Sequence, residues 1–140
     1  MTFVLLPGMY SVYRFSPDSV PAIDFSGEDF VCLARTAEEV SLVRSSQAIR
    51  GAEREEGGWR VLKIAGPIDF AVVGVLAGAS GILAAAGVSI FAVSTFDTDY
   101  ILVKEASLEK AVDALRSSGH EVAGYGDRRK DGASGPGVRP

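Results

Sequence analysis

The chain is poor in the residue types on which most catalytic and metal-binding sites depend. Its 140 residues include one cysteine, Cys32, and one histidine, His120. A single cysteine excludes an intrachain disulfide and a multi-cysteine metal site, and a single histidine excludes a zinc motif built on paired histidines. We therefore expect no metal, no cofactor and no enzymatic activity, since neither a nucleophile–base pair nor a ligand cluster is recognisable.

Basic residues are also in deficit. The chain has 14 Lys and Arg against 18 Asp and Glu, for a net charge of −4. This balance argues against nucleic-acid binding, and the basic run at 128–130 is more typical of a solvated tail. Residues 1–6 lack a basic start and a long apolar run, and Pro7 and Gly8 follow them at once. We expect no signal peptide and a cytoplasmic location.

One uncharged run is long enough to raise the question of a membrane span. It extends over 27 residues, from Phe70 to Phe96. Four glycines interrupt it, its pattern changes after Gly87 from helical spacing to β-rich sequence, and no basic cluster flanks it. We therefore predict a helix followed by a strand, and no contact with a membrane.

From Trp59 onward the pattern predicts the order β-α-β-β-α-β. Helix periodicity follows Asp69, which stands where an N-cap is useful, and a second amphipathic stretch follows Ser107. Two helices on one face of a four-stranded antiparallel sheet make an α+β, ferredoxin-like domain. The predicted elements are strand Trp59–Ala65, helix Phe70–Ala86, strands Val88–Thr95 and Tyr100–Lys104, helix Ser107–Ser118, and a short strand at 120–122.

A short internal repeat indicates a second module upstream. Arg35–Arg44 and Ser94–Lys104 both read as strand, acidic turn and strand; threonine aligns with threonine, and Glu39 with Asp99. Chance similarity remains an alternative because strand patterns are loosely specified. We predict an N-terminal module over 1–57, truncated because it lacks a convincing long helix, a C-terminal module over 58–125, and a disordered tail over 126–140. The polar segment 45–58 is expected to be a connector or a short helix.

Two stretches carry a resemblance to a known family. GWRVLKIAGPIDF at 58–70 and SIFAVSTFDTDYILVKE at 89–105 resemble the paired ACT-domain proteins of bacteria, which are similar to the ACT modules of aspartokinases and of CASTOR-type arginine sensors. EEVSLV at 38–43 resembles the first-module motif of that family. The segments 78–82 and 45–56 depart from the family pattern. The resemblance implies tandem ferredoxin-like ACT modules, the first one truncated.

The family resemblance also implies a function and a site. The function is non-catalytic and regulatory: a small amino acid binds at an interface between two ACT units, in a homodimer or between modules. The alternative is a dimerisation module without a ligand. Carried over by position, the ligand-binding residues are Asp69, Gly74, Val75 and Leu76 after the first strand, Thr95, Phe96 and Asp99 in the acidic turn, and Ser89 and Ile90 at a strand edge.

The chemistry of these residues agrees with the implied ligand. Backbone N–H groups at a helix N-terminus suit a carboxylate, and Gly74 permits close approach to the backbone. A carboxylate such as Asp99 suits an ammonium or another cation. Simple N-capping by Asp69 and a solvated turn at Asp99 stay open as alternatives.

Overall fold

A computed structural model describes residues 1–19, 21–69 and 73–125. The predicted disordered tail, 126–140, therefore lies outside the described residues. A single 3₁₀ turn, Glu105–Ser107, precedes the last helix. In chain order the elements are β1 (Thr2–Leu5), β2 (Tyr10–Phe15), β3 (Cys32–Arg35), β4 (Val40–Ser45), β5 (Arg54–Ile64), α1 (Val75–Ala85), β6 (Ile90–Ser94), β7 (Asp99–Lys104), α2 (Leu108–Ser117) and β8 (Glu121–Ala123).

The chain divides into two compact units. One comprises Met1–Pro7 and the residues from Arg60 onward, and we call it the helical unit; the other, Gly8–Trp59, is the strand unit. The first part of β5 belongs to the strand unit and the rest to the helical unit. The predicted module boundary, between residues 57 and 58, lies close to this division. The prediction placed residues 1–7 in the N-terminal module, whereas the structure groups them with the helical unit.

The helical unit follows the predicted β-α-β-β-α-β order, with one additional strand. Its sheet runs β8-β1-β5-β7-β6. β1 is antiparallel to β5, with Phe3 opposite Ile64, and parallel to β8, with Phe3 opposite Val122. The prediction of four strands is wrong in this respect, because β1 comes from the far end of the sequence and no local pattern reveals its partner.

The two helices cover the sheet of the helical unit to different extents. α2 buries four residues at helical spacing, whereas α1 buries Ala79 and Leu83. Among the described residues, no helix combines the length and apolar character needed to cross a bilayer. The shared core also receives side chains from β1, β5 and β7; its members include Phe3, Leu62, Ile64, Ile101, Val103, Leu108, Ala111, Val112 and Leu115.

Gly81, in the interior of α1, gives a prediction about stability. A Cβ added there meets no atom within 4 Å, so no packing within the chain requires a glycine. Alanine is a better helix former, and Gly81→Ala should raise the free energy of unfolding by about 0.5–1 kcal/mol. Urea denaturation followed by circular dichroism measures this change. A destabilised variant would contradict the prediction.

The strand unit is built from β2, β3, β4 and the first part of β5, in the order β3-β4-β2-β5, with antiparallel neighbours. Its core includes Tyr13, Phe15, Val40 and Leu42. No helix occurs in the described part of 8–59. The predicted connector or short helix over 45–58 is wrong from Arg54 onward, because these polar residues extend β5 and pair with β2.

A nearly buried ion pair in the strand unit makes stability dependent on pH. Arg44 Nη2 lies 3.0 Å from Glu28 Oε2, and their side chains are 8% and 16% exposed. A hydrogen bond donated by Ser45 Oγ, at 2.8 Å, and the nearby Arg44 guanidinium hold the pKa of Glu28 below its ordinary value.

The lowered pKa fixes the direction of the pH effect. A carboxylate with a lowered pKa in the folded state stabilises the fold above its unfolded pKa, and this contribution is lost as the pH falls through the folded pKa. Glu28→Gln should therefore lose stability at pH 7, and part of the acid-induced loss below about pH 4.5 should disappear. Urea denaturation at a series of pH values tests this, and parallel profiles for the two proteins would contradict it.

Two hairpins are closed by the same four-residue turn. In the β3–β4 turn, Thr36 N and Oγ1 donate to Glu39 O, at 2.9 and 3.4 Å. In the β6–β7 turn, Thr95 N and Oγ1 donate to Thr98 O, at 2.8 and 3.0 Å. The turns thus match as the repeat predicts, but Glu39 corresponds to Thr98 and not to Asp99.

Candidate functional site

The start of α1 differs from the prediction. Gly74 occupies the N-cap position with a left-handed φ of 82°, and Gly78 N donates the first intrahelical bond, to Gly74 O at 2.8 Å. A left-handed residue cannot continue a right-handed helix, so α1 begins at Val75. Asp69 is therefore not the N-cap of α1, and the helix does not include Val73 or Gly74 as predicted. The part of that prediction on residues 70–72 lies outside the described residues.

The glycine N-cap leaves the helix terminus open. Glycine has no side chain with which to accept a hydrogen bond, and α1 has no side-chain cap. The N–H groups of Val75, Leu76 and Ala77 precede the first intrahelical donor, so the helix itself supplies no acceptor for them. Such a terminus attracts a carboxylate through these donors and through the helix dipole.

Carboxylates lie in the β6–β7 turn and directly after it, at Asp97 and Asp99. We call residues 95–99 the acidic turn. Ser94 Oγ donates to Asp99 Oδ1 at 2.5 Å, which orients the Asp99 carboxylate at the base of the turn. Phe96, at the tip, is 79% exposed. The acidic turn thus combines an oriented carboxylate with an exposed aromatic ring.

Short contacts join the acidic turn to the segment that follows β5. Ile68 N donates to Asp97 O at 2.7 Å, and Thr98 Oγ1 donates to Ile64 O at 2.6 Å. Gly66 lies so close that an added Cβ would be 3.1 Å from Asp97 O. The two segments are therefore held at a fixed separation beside the start of α1.

The acidic turn, the segment after β5 and the start of α1 together line a cavity of about 280 Å³. That volume is just below the roughly 300–1,000 Å³ typical of small-molecule sites. Seven of the nine predicted ligand-binding residues line it: Asp69, Gly74, Val75, Leu76, Thr95, Phe96 and Asp99. Five further residues, outside the predicted set of nine, also line it: Ile68, Ala77, Ser94, Asp97 and Thr98.

The predicted strand-edge residues, Ser89 and Ile90, do not line this cavity. Ile90 begins β6 and pairs with Val103 of β7, whereas the acidic turn follows the other end of β6. A strand of five residues spans about 16 Å, which separates the two groups. Their proposed contact with a ligand or a second copy therefore requires a different surface from the cavity.

The charged side chains that line the cavity are all acidic. Three of its lining residues, Asp69, Asp97 and Asp99, are acidic, and the lining residues include no basic side chain. The open helix N-terminus supplies partial positive charge on one side. The site is thus suited to a small cation, or to a small zwitterion whose carboxylate lies towards α1.

Metal chemistry finds no support in the described part of the chain. No group of three or more His, Cys, Asp or Glu residues is arranged to hold a metal ion among the residues that the structure describes. The expectation that the chain is not an enzyme and needs no cofactor remains a prediction.

Comparison with known proteins gives the family of this fold. Residues 54–117 match the model of the ACT domain. The human cytosolic arginine sensor for mTORC1 subunit 1 is 30% identical over 102 residues, and its rat counterpart is 32% identical over 100. These alignments cover 71% and 70% of this chain but 30% of each sensor, so the chain spans about a third of the length of these relatives.

Solved structures extend the similarity over most of the chain. Protein Atu0741 from Agrobacterium tumefaciens is 33% identical, with a TM-score of 0.77, over 86% of this chain and 90% of that one. Aspartate kinase from Synechocystis shares the fold, with a TM-score of 0.62 and 15% identity, over 88% of this chain and 27% of the kinase.

The helical unit is therefore an α+β domain of the ferredoxin-like class, with a ligand-sized cavity at the start of its first helix. The chain belongs to the ACT-domain family, and Atu0741 is a relative of nearly the same length. The predicted similarity to the arginine sensors is confirmed in sequence, and the predicted similarity to aspartokinases is confirmed at the level of the fold.

Proposed function

We propose that this chain is a non-catalytic, regulatory ACT-domain protein that binds a free amino acid in the cavity beside α1. The observation that carries the proposal is the open N-terminus of α1 and the acidic turn lining one cavity. A free amino acid presents a carboxylate and an ammonium attached to the same carbon atom. The cavity offers a donor wall for the first group and an acceptor wall for the second.

The ligand contacts follow from these two walls. The carboxylate accepts hydrogen bonds from the N–H groups of Val75, Leu76 and Ala77, as an external cap of the helix. The ammonium donates to Asp99, whose carboxylate Ser94 orients. A hydrogen bond between an ammonium and a carboxylate is stronger than one between neutral groups, which favours this direction of binding over the reverse.

The charge of the cavity limits the class of side chain. Asp69, Asp97 and Asp99 would repel a second carboxylate, so aspartate and glutamate should bind worst. A cationic side chain would gain attraction from the same groups. The name of the mammalian relatives, which are arginine sensors, agrees with this direction. We therefore rank basic amino acids first, small neutral ones second and acidic ones last.

The proposal extends to the strand unit and to a second copy of the chain. The order β3-β4-β2-β5 is that of a ferredoxin-like sheet, and the shared threonine turn supports its interpretation as a truncated ACT-like module. Homodimerisation would place Ser89 and Ile90 of one copy within reach of a ligand at a module interface. A cytoplasmic location is part of the same proposal.

A dimerisation module without a ligand is the second candidate. Val73 and Phe96 favour it, since these apolar side chains are 89% and 79% exposed beside the cavity. Large apolar side chains left exposed can mark a surface that a partner covers. In this case the cavity would be a by-product of a protein–protein contact.

Thermal denaturation in the presence of each of the twenty amino acids distinguishes the two candidates. A ligand at a hundred times its dissociation constant stabilises the folded state by about 2.7 kcal/mol. We expect the melting temperature to rise with at least one amino acid and to stay unchanged with aspartate and glutamate. No shift with any of them, together with a dimer in analytical ultracentrifugation, would favour the ligand-free module.

A further inference from the structure

Thr98 is a polar residue at the cavity whose role the sequence does not reveal. It is buried, with 5% of its surface exposed, although it lies in the hairpin turn. Its hydroxyl donates to Ile64 O at 2.6 Å, and its carbonyl accepts two hydrogen bonds from Thr95. One residue therefore closes the turn upon itself and also attaches it to the end of β5.

The neighbours of Thr98 strengthen this connection. Ile68 N donates to Asp97 O at 2.7 Å, so the segment after β5 is also hydrogen-bonded to the turn. At Gly66, an added Cβ would lie 3.1 Å from Asp97 O and from the Thr98 Cβ, which shows that Gly66 packs closely against the turn. Side chains on the two segments, Asp69 on one and Phe96 on the other, line the cavity.

The equivalent turn of the strand unit lacks this link. There Glu39 stands at the position of Thr98, and its carboxylate accepts from Ser41 Oγ at 2.9 Å and lies 3.9 Å from Arg14 Nε. Both turns close through threonine, but the β6–β7 turn alone of the two uses its fourth side chain to bind a strand carbonyl. The hydroxyl of Thr98 is thus not required to form this type of turn.

We propose that Thr98 is a positioning residue that fixes the acidic turn against the end of β5 and the segment after it, and thereby sets ligand affinity. The part concerning affinity rests on the proposed function, whereas the part concerning this contact stands on the geometry alone. Because its hydroxyl is donated to Ile64 O, Thr98 acts through the backbone carrying Asp97 and Asp99 and not by touching the ligand through that hydroxyl.

Two variants of the full chain separate the hydroxyl from the side-chain volume. Thr98→Val keeps the shape and removes the hydroxyl, while Thr98→Ser keeps the hydroxyl and removes a methyl group. Amide hydrogen exchange measured by NMR reports the contact between the turn and the segment after β5 through Ile68 N–H, which donates to Asp97 O. Val88 N–H, which donates to Leu83 O at 2.9 Å beyond the other end of α1, serves as the reference.

We expect Thr98→Val to accelerate exchange at Ile68 by about tenfold relative to Val88, since loss of one hydrogen bond corresponds to roughly that factor. Thr98→Ser should stay within about threefold of the wild type. An unchanged Ile68 in Thr98→Val, or equal acceleration in both variants, would overturn the proposal. If Thr98→Val accelerates all amides because it unfolds, the rate in Thr98→Ser decides: slow exchange supports the role of the hydroxyl, and fast exchange overturns it.

Ligand affinity provides a second measurement. The probe is the amino acid that gives the wild type its largest thermal shift, and Thr98→Val should weaken its binding about tenfold while Thr98→Ser preserves it. Equal affinities for all three proteins would overturn the link between the position of the acidic turn and binding. If no amino acid binds the wild type, the proposed function fails, while the exchange experiment still decides the role of Thr98.

Discussion

Gly66→Ala is expected to lower the free energy of unfolding by about 1–3 kcal/mol, the usual cost of overpacking a close contact. The added Cβ would lie 3.1 Å from both Asp97 O and the Thr98 Cβ, and 3.2 Å from Ile68 N. Two of these atoms belong to the backbone and cannot rotate away. The acidic turn must therefore move outward, which weakens the hydrogen bonds that Ile68 and Thr98 make across the contact.

Gly81→Ala is the matched control for this variant, because the same methyl group is added where it meets no neighbour. Urea denaturation of both variants should give changes of opposite sign, a loss for Gly66→Ala and a gain for Gly81→Ala. Amide exchange should also accelerate at Ile68 in the first variant and not in the second. A Gly66→Ala protein as stable as the wild type would show that the two segments are not in tight contact.

Asp99→Asn is expected to weaken amino-acid binding by about 10–100-fold. The substitution preserves size and the ability to accept from Ser94 Oγ, but it removes the negative charge that would face the ligand ammonium. A hydrogen bond to a charged group contributes roughly 1.5–3 kcal/mol, and each 1.4 kcal/mol corresponds to a factor of ten in affinity. The loss should be larger for a basic amino acid than for a neutral one.

Asp113→Asn controls for the change in net charge. Asp113 lies on the exposed face of α2 and does not line the cavity. Isothermal titration calorimetry at a fixed ionic strength compares the two variants with the wild type. Equal weakening by both would mean that the overall field of the protein, and not a contact at Asp99, governs binding.

Local sequence patterns predicted the elements whose bounds depend on the spacing of apolar residues. The apolar spacing of α2, with Leu108, Ala111, Val112 and Leu115 inward, gives a helix close to the predicted bounds. The start of α1 was not predictable in this way, because apolar residues continue upstream of Gly74 and the left-handed backbone there leaves no trace in hydropathy. The place of β1 depends on pairing across about sixty residues, which no local pattern encodes.

In the candidate site, too, some residues were predictable from the sequence and others were not. Family resemblance predicted ligand contacts at Asp69, Asp99 and the first turn of α1, and these residues line one cavity in the structure. Their part in binding remains a proposal. The resemblance did not point to Thr98. A threonine in a hairpin turn is ordinary, and only the structure shows that its hydroxyl donates to Ile64 O. Ser89 and Ile90 were assigned through an expected partner unit, and their part in binding remains a proposal.

The most direct test of the account is an NMR titration of the full chain with the amino acid that stabilises it most. Backbone amide shifts locate the bound ligand residue by residue. We expect the largest changes at Val75, Leu76 and Ala77, where the ligand carboxylate caps α1, and at residues 95–99, with β3 and β4 unaffected. Saturable changes centred elsewhere, or no changes with any amino acid at millimolar concentration, would contradict the claim that this cavity is an amino-acid site.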